Sequence, residues 1–76
     1  MLHTKHDEPC LLKAADDEPI WVLRGQDLCT PQTIRAWAAG ANARGAPYAK
    51  VQEASRNADE IEQWQRDHPD RVKLPD

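Results

Sequence analysis

The sequence lacks most of the features that mark an enzyme. It has no phenylalanine, only three glycines and a single serine, Ser55, among 76 residues. It therefore offers no glycine-rich phosphate loop and no serine nucleophile elbow, and no two carboxylates are spaced in an apolar setting. We expect the protein not to be an enzyme and to need no cofactor.

Long apolar runs are also missing. No stretch approaches the roughly 18 residues that span a bilayer, so we expect no membrane partner. The first ten residues, MLHTKHDEPC, lack the apolar core of a secretory signal. We therefore expect a cytoplasmic protein whose two cysteines, Cys10 and Cys29, remain thiols in a reducing environment.

Positive charge is scarce as well. Lysine and arginine number 10 against 13 acidic residues, and the formal net charge is −3. Non-specific binding of nucleic acid needs a basic surface, so this balance argues against a nucleic-acid partner. Four basic residues on the expected helices alternate with acidic ones: Arg35, Arg44, Lys50 and Arg56 with Glu53, Asp59, Glu60 and Glu62. This mixture disfavours a helix-turn-helix DNA-binding regulator, which is one alternative function.

Large apolar side chains are few. The hydrophobic residues make up 39% of the chain, but 11 of them are alanines and only 17 are large. A hydrophobic core with so few large side chains stabilises the fold by little more than the entropy that folding costs. Small domains commonly gain the missing stability by oligomerising. The composition therefore predicts a homodimer.

The run PIWVLR, residues 19–24, is the strongest strand signal. Ile20, Trp21 and Val22 are β-branched or aromatic, which favours a strand, and the proline can begin one. Four apolar residues follow one another without alternation, so both faces of the strand should be covered. Gly25 ends the run.

Two helices are expected, at about residues 31–43 and 47–67. Thr30 is a suitable N-cap, and a proline follows it at the first helical position. Gly45 suits the left-handed position that ends a helix. The short link between the helices predicts an antiparallel αα-hairpin, in which alanines permit close approach. The expected apolar stripes consist of Ile34, Trp37, Ala38 and Ala41 on the first helix, and Val51, Ala54, Ala58, Ile61 and Trp64 on the second.

The remaining segments complete an α+β prediction. The alternating tail, residues 71–75, is the best partner within the chain for the strand at residues 20–24. Residues 10–14 form either a third strand or a short helical turn. We predict a flexible segment at residues 1–9, followed by one small domain at residues 10–76. In this domain a two- or three-stranded sheet packs against the helical hairpin, and the tryptophans of the strand and both helices converge in the core, with Trp64 the least buried.

Polar residues crowd the junction between the predicted strand and the first helix. Arg24, Gln26 and Asp27 follow directly on the apolar run. Loops at the ends of strands often carry binding groups, so these three residues, together with Trp64, are the candidate partner-binding residues. The favoured interpretation of the junction is nevertheless structural, with Asp27 capping backbone N–H groups that lead into the helix.

A metal site is a further, weaker candidate. His3, His6 and Cys10 are spaced as H-x2-H-x3-C, and Cys29 and His68 are possible fourth ligands. These side chains suit zinc, which gives a metal-linked small regulator as another alternative function. The segment is terminal, however, and a solvated tail explains the histidines equally well.

The sequence resembles a set of short uncharacterised bacterial and phage-encoded proteins. The resemblance is carried by EPIWVLRGQDLCTPQTIRAWAAGA, by KVQEASRNADEIEQWQ and by a closing VKLPD. It covers residues 18–75, and Cys29 departs from it because a small residue is expected at that place. The matching positions are Pro19, Leu23, Arg24, Gln26, Asp27, Pro31, Trp37, Ala38, Val51, Ala54, Trp64 and Pro75.

The resemblance carries no activity to this chain. Its phage association implies a small protein that binds host machinery. The most specific form of this implication is inhibition of a host defence complex, which is what anti-CRISPR proteins do. Composition and resemblance together predict a non-enzymatic protein-interaction module with a protein partner of unknown identity.

Overall fold

A computed structural model describes residues 12–74 of the chain. From residue 14 onward its regular elements are helix α1, Thr30–Ala43, helix α2, Tyr48–Asp67, and a short 3-10 helix, Pro69–Arg71. Residues 14–29 contain no regular element, and we call them the arm. No helix within the described range is long and apolar enough to cross a membrane.

Helix α1 begins and ends close to where its sequence predicts. Its N-cap is Cys29 rather than Thr30, which is the first helical residue. At the other end Gly45 has a φ of 84°, the left-handed conformation expected of it. The Gly45 N–H donates to the Asn42 carbonyl and the Ala46 N–H to the Ala41 carbonyl, so a Schellman motif closes the helix.

The two helices pack as an antiparallel hairpin around small side chains. The guanidinium of Arg35, near the start of α1, contacts Asp59 and Glu62, near the end of α2. Ala38 of α1 is buried against α2, and Ala58 is completely inaccessible to water. The buried core residues between the helices are Ala38, Ala54, Ala58 and Ile61, and Pro31 is buried at the start of α1.

The predicted sheet is wrong. Residues 12–74 contain no strand, and their β-pairing consists of one isolated parallel bridge between Asp27 and Lys73. The Lys73 N–H donates to the Gln26 carbonyl and the Leu28 N–H to the Lys73 carbonyl, both at 2.9 Å. The tail thus lies beside residues 26–28 and not beside the predicted strand.

A tight turn explains why the bridge does not grow into a sheet. The Asp27 N–H donates to the Arg24 carbonyl, and the Thr30 N–H donates to the Asp27 carbonyl. The chain therefore turns on both sides of Asp27 and enters α1 at once. A β-ladder needs consecutive extended residues, and this segment supplies too few.

The expected tryptophan core is also wrong. Trp21 is 81% exposed and Trp37 is 56% exposed, whereas Trp64 is half-buried. Trp64 is therefore the most buried of the three and not the least. The alanine faces of the two helices bring the backbones close together, and this close packing leaves no space between them for an indole ring.

The N-terminal predictions lie largely outside the described residues. This holds for the flexible segment at residues 1–9 and for Cys10 and Leu11. Of the segment left open between strand and helical turn, Leu12 and Lys13 are helical.

Candidate functional site

The predicted site residues of the junction hold the turn before α1. The carboxylate of Asp27 accepts a hydrogen bond from the Cys29 N–H at 2.8 Å, so the predicted capping role of Asp27 is confirmed. The hydroxyl of Thr30, which is 1% exposed, donates to the Arg24 carbonyl at 2.7 Å. The Arg24 guanidinium is exposed and bonds to no other residue of the described range.

A glutamine from α2 fixes the same turn from the opposite side. Nε2 of Gln65 donates to the carbonyls of Gly25 and Asp27, at 2.9 Å each. The turn is thereby tied to the far end of the hairpin. Gln65 is not predictable from the sequence, because a glutamine near the end of a polar helix carries no pattern that sets it apart.

Trp64 lies in a separate cluster at the end of α2. Its indole stacks on the His68 imidazole with ring centroids 4.5 Å apart. The guanidinium carbon of Arg71 lies 4.9 Å from the centroid of the Trp64 ring, within range of a cation–π interaction. Nδ1 of His68 is 2.8 Å from the Trp64 carbonyl oxygen. These contacts fold the 3-10 helix back onto α2.

The structure brings three of the four predicted partner-binding residues together. Arg24, Gln26 and Asp27 line one groove of about 210 Å³ beside Lys73. Trp64 is not among the residues that line it. Partner binding by these residues stays a prediction.

The metal candidates lie almost entirely outside the described residues. His3, His6 and Cys10 all precede residue 12. Cys29 is a free thiol, and residues 12–74 contain no group of three His, Cys, Asp or Glu side chains that could hold a metal ion.

An exposed apolar groove is the most distinctive surface of the described chain. It encloses about 570 Å³, and we call it the tryptophan groove. Its lining residues are Trp21, Leu23, Thr33, Ile34, Ala36 and Trp37. The arm forms one wall and the flank of α1 forms the other, so the groove exists only because the arm folds back beside the helix.

The wall of the tryptophan groove is chemically uniform. Thr33 is its one residue with a polar side chain, and the Thr33 hydroxyl donates to the Cys29 carbonyl at 2.9 Å. The hydroxyl is therefore already engaged, and the surface offered to a ligand is hydrocarbon and indole. Helical spacing predicts Trp37 on the buried stripe of α1, but Trp37 is 56% exposed and lines the groove beside the arm.

The charged groups across the hairpin are paired. Nη2 of Arg35 is 2.7 Å from Oδ1 of Asp59, and it also hydrogen bonds to Oε1 of Glu62. The hydrogen bond from Arg35 lowers the pKa of the Glu62 carboxyl, and the two acids raise the pKa of Arg35. One basic residue that a DNA-binding surface would need is thus neutralised by its own hairpin.

Comparisons with known proteins identify no relative. No family model, no curated protein and no solved structure matches the chain. The resemblance to bacterial and phage-encoded proteins therefore receives no support from them.

Proposed function

We propose that the protein is a non-enzymatic protein-interaction module that forms a homodimer through the tryptophan groove. The observation that carries the proposal is the exposure of Trp21 and Trp37 on the two walls of one apolar groove. The largest exposed apolar patch of a soluble protein is often a functional site. The comparisons do not support a phage origin or the inhibition of a host defence complex. The proposal is therefore limited to self-association as a protein-interaction module.

The area of the patch supports a protein partner. At 81% and 56% exposure, the two tryptophans leave roughly 200 to 350 Å² in contact with water. Leu23, Ile34 and Ala36 add further apolar surface to the same groove. Tryptophan is also the residue type most enriched at the energetic centres of interfaces.

The composition of the interior supports self-association. Three of the five buried apolar residues of the described chain are alanines and one is a proline, so the hairpin gains little from burial on its own. Two copies that cover each other's grooves would gain the burial that one copy lacks. The free thiol of Cys29 is compatible with the cytoplasmic location that we propose.

Light scattering tests the proposal. We expect a mass twice the 8.6 kDa of one chain at micromolar concentration. Trp37→Ser should yield the monomer, because the groove loses one aromatic wall. Tyr48→Ser is the matched control, since Tyr48 is 72% exposed and is not a lining residue of the groove. A monomer of the unaltered chain at high micromolar concentration would contradict the proposal.

A further inference from the structure

The backbone in the middle of the arm has no hydrogen-bond partner among the described residues. No N–H or C=O of residues 20–23 bonds to another residue of the described chain. Both flanks are fixed: the Glu18 N–H donates to the Ala15 carbonyl at 3.0 Å, and the Arg24 carbonyl accepts from Asp27 and Thr30. The free stretch is therefore short, and it is held at both ends.

The side chains of residues 20–23 are typical of a β-strand that pairs with another strand. Trp21 and Leu23 line the tryptophan groove, and Trp21, Val22 and Leu23 all line the smaller groove beside Lys73. Residues of these types favour pleated structure. A row of free N–H and C=O groups beside apolar side chains is a template for the strand of another chain.

We infer that a second copy of the chain pairs with this stretch as an antiparallel strand, centred on Trp21. The inference rests on the proposed self-association and specifies its geometry. Trp21 then faces its own symmetry mate across a two-fold axis, and Ile20 faces Val22 of the other copy. Pro19 faces Leu23, and Glu18 faces Arg24.

Charge complementarity selects this register. Glu18 and Arg24 are both exposed, and Trp21 is midway between them in the sequence. Only an antiparallel pairing centred on Trp21 places each Glu18 opposite an Arg24, and it does so twice per dimer. A centre on Val22 would instead place Ile20 opposite Arg24, which sets an apolar side chain against a charge. Opposite charges facing each other across strands stabilise a pair, and like charges destabilise it.

The same register accommodates the proline. Directly opposed residues in antiparallel strands alternate between hydrogen-bonded and non-hydrogen-bonded pairs. With Trp21 in a non-hydrogen-bonded pair, Ile20 and Val22 form the hydrogen-bonded pairs on either side. Pro19 then falls in a non-hydrogen-bonded pair, where its missing N–H removes no bond from the ladder.

The test exchanges the charges at the two ends of the stretch. Glu18→Arg alone sets two arginines opposite each other at both ends, and Arg24→Glu alone sets two glutamates there. We expect each single variant to dimerise roughly tenfold more weakly than the unaltered chain. The double variant should recover dimerisation. An equimolar mixture of the two single variants should form heterodimers, because every facing pair is then opposite in charge.

Analytical ultracentrifugation of the full-length chains measures these equilibria. Asp17→Arg is the matched control, because it changes the net charge as Glu18→Arg does but faces Gly25 in this register. Circular dichroism verifies that each variant keeps its helices. Undiminished dimerisation of both single variants, or failure of the mixture to associate, would overturn the strand pairing while leaving the dimer in place. A monomeric unaltered chain would overturn both proposals.

Discussion

The hairpin and the arm use their apolar residues in opposite ways. Between the helices three of the four buried residues are alanines, with Ile61 the fourth, and Ala58 is completely inaccessible. Along the arm the apolar residues are large, and Trp21 and Val22 stay exposed. The buried alanines show that the hairpin packs by close approach of its helices, whereas the arm presents apolar surface that the rest of residues 12–74 leaves exposed.

The difference follows from how each segment satisfies its backbone. A helix bonds its own N–H and C=O groups, so α1 and α2 need only a matching face. An extended segment must find its bonds elsewhere. The arm meets this requirement at its two fixed ends and leaves residues 20–23 unpaired within the described chain. The helices satisfy their own backbone groups, whereas residues 20–23 offer the unpaired groups to which we propose that a second copy binds.

Enlarging a buried alanine should have the largest effect on the hairpin. Ala58→Leu forces the helices apart, because no space surrounds that methyl group. We expect a loss of about 1 to 3 kcal/mol in the free energy of unfolding. Urea titration at one fixed protein concentration measures it, since self-association would otherwise shift the midpoint.

An exposed alanine on the same hairpin provides the control. Ala39→Leu adds the same side chain on the outer face of α1 and should change the free energy of unfolding by less than about 0.5 kcal/mol. Equal losses in the free energy of unfolding for Ala58→Leu and Ala39→Leu would show that the hairpin does not depend on close packing of its helices. The hairpin and the arm would then not differ in the way described above.

The hairpin could be predicted from the sequence because its signals are local. Gly45 marks the end of α1 through its own backbone conformation, and the short link sets the antiparallel packing. The arm could not be predicted in the same way. β-branched and aromatic residues indicate that a segment suits a sheet, but they do not identify the neighbouring strand.

The candidate site shows the same division. The capping contact of Asp27 spans two residues and was predictable. The hydrogen bonds from Gln65 to Gly25 and Asp27 span about forty residues, and helical periodicity holds no information about them. The tryptophan groove was missed because helical spacing alone placed Trp37 with the buried stripe, while its exposure depends on where the arm lies.

The attachment of the arm to the hairpin can be weakened separately. Gln65→Ala removes the donor that serves two carbonyls of the turn, and we expect a loss of about 1 kcal/mol in the free energy of unfolding. Amide hydrogen exchange should become faster in residues 24–28 and stay unchanged in the middle of α2. Gln63→Ala, which removes an exposed glutamine of the same helix, is the control. Uniformly faster exchange along the chain would show that the arm and the hairpin open together.

Two glycines of the hairpin should respond with opposite signs. A methyl group on Gly40 would lie 3.5 Å from a side-chain nitrogen of Arg44, an ordinary contact, so Gly40→Ala should stabilise the protein by about 0.5 to 1 kcal/mol. Gly45→Ala should destabilise it by about 1 kcal/mol, because its φ of 84° strains any other residue. Thermal unfolding of both variants measures these two changes in stability. A lower stability of Gly40→Ala would contradict the expectation that α1 has room for a methyl group at this position.

The smallest expected effect concerns the ion pairs across the hairpin. The pKa of Glu62 is lowered below its ordinary value of 4.5 by the hydrogen bond from Arg35. A carboxyl whose pKa is lowered by folding stabilises the protein above its unfolded pKa and loses that contribution as the pH falls through the folded value. Glu62→Gln should therefore lower the urea midpoint slightly at pH 7, and the difference should vanish as the pH falls through and below the folded pKa. Glu60→Gln controls for the loss of one charge on α2. If the urea midpoints of both variants depended on pH equally, the hydrogen bond from Arg35 would not be the cause of the effect at Glu62.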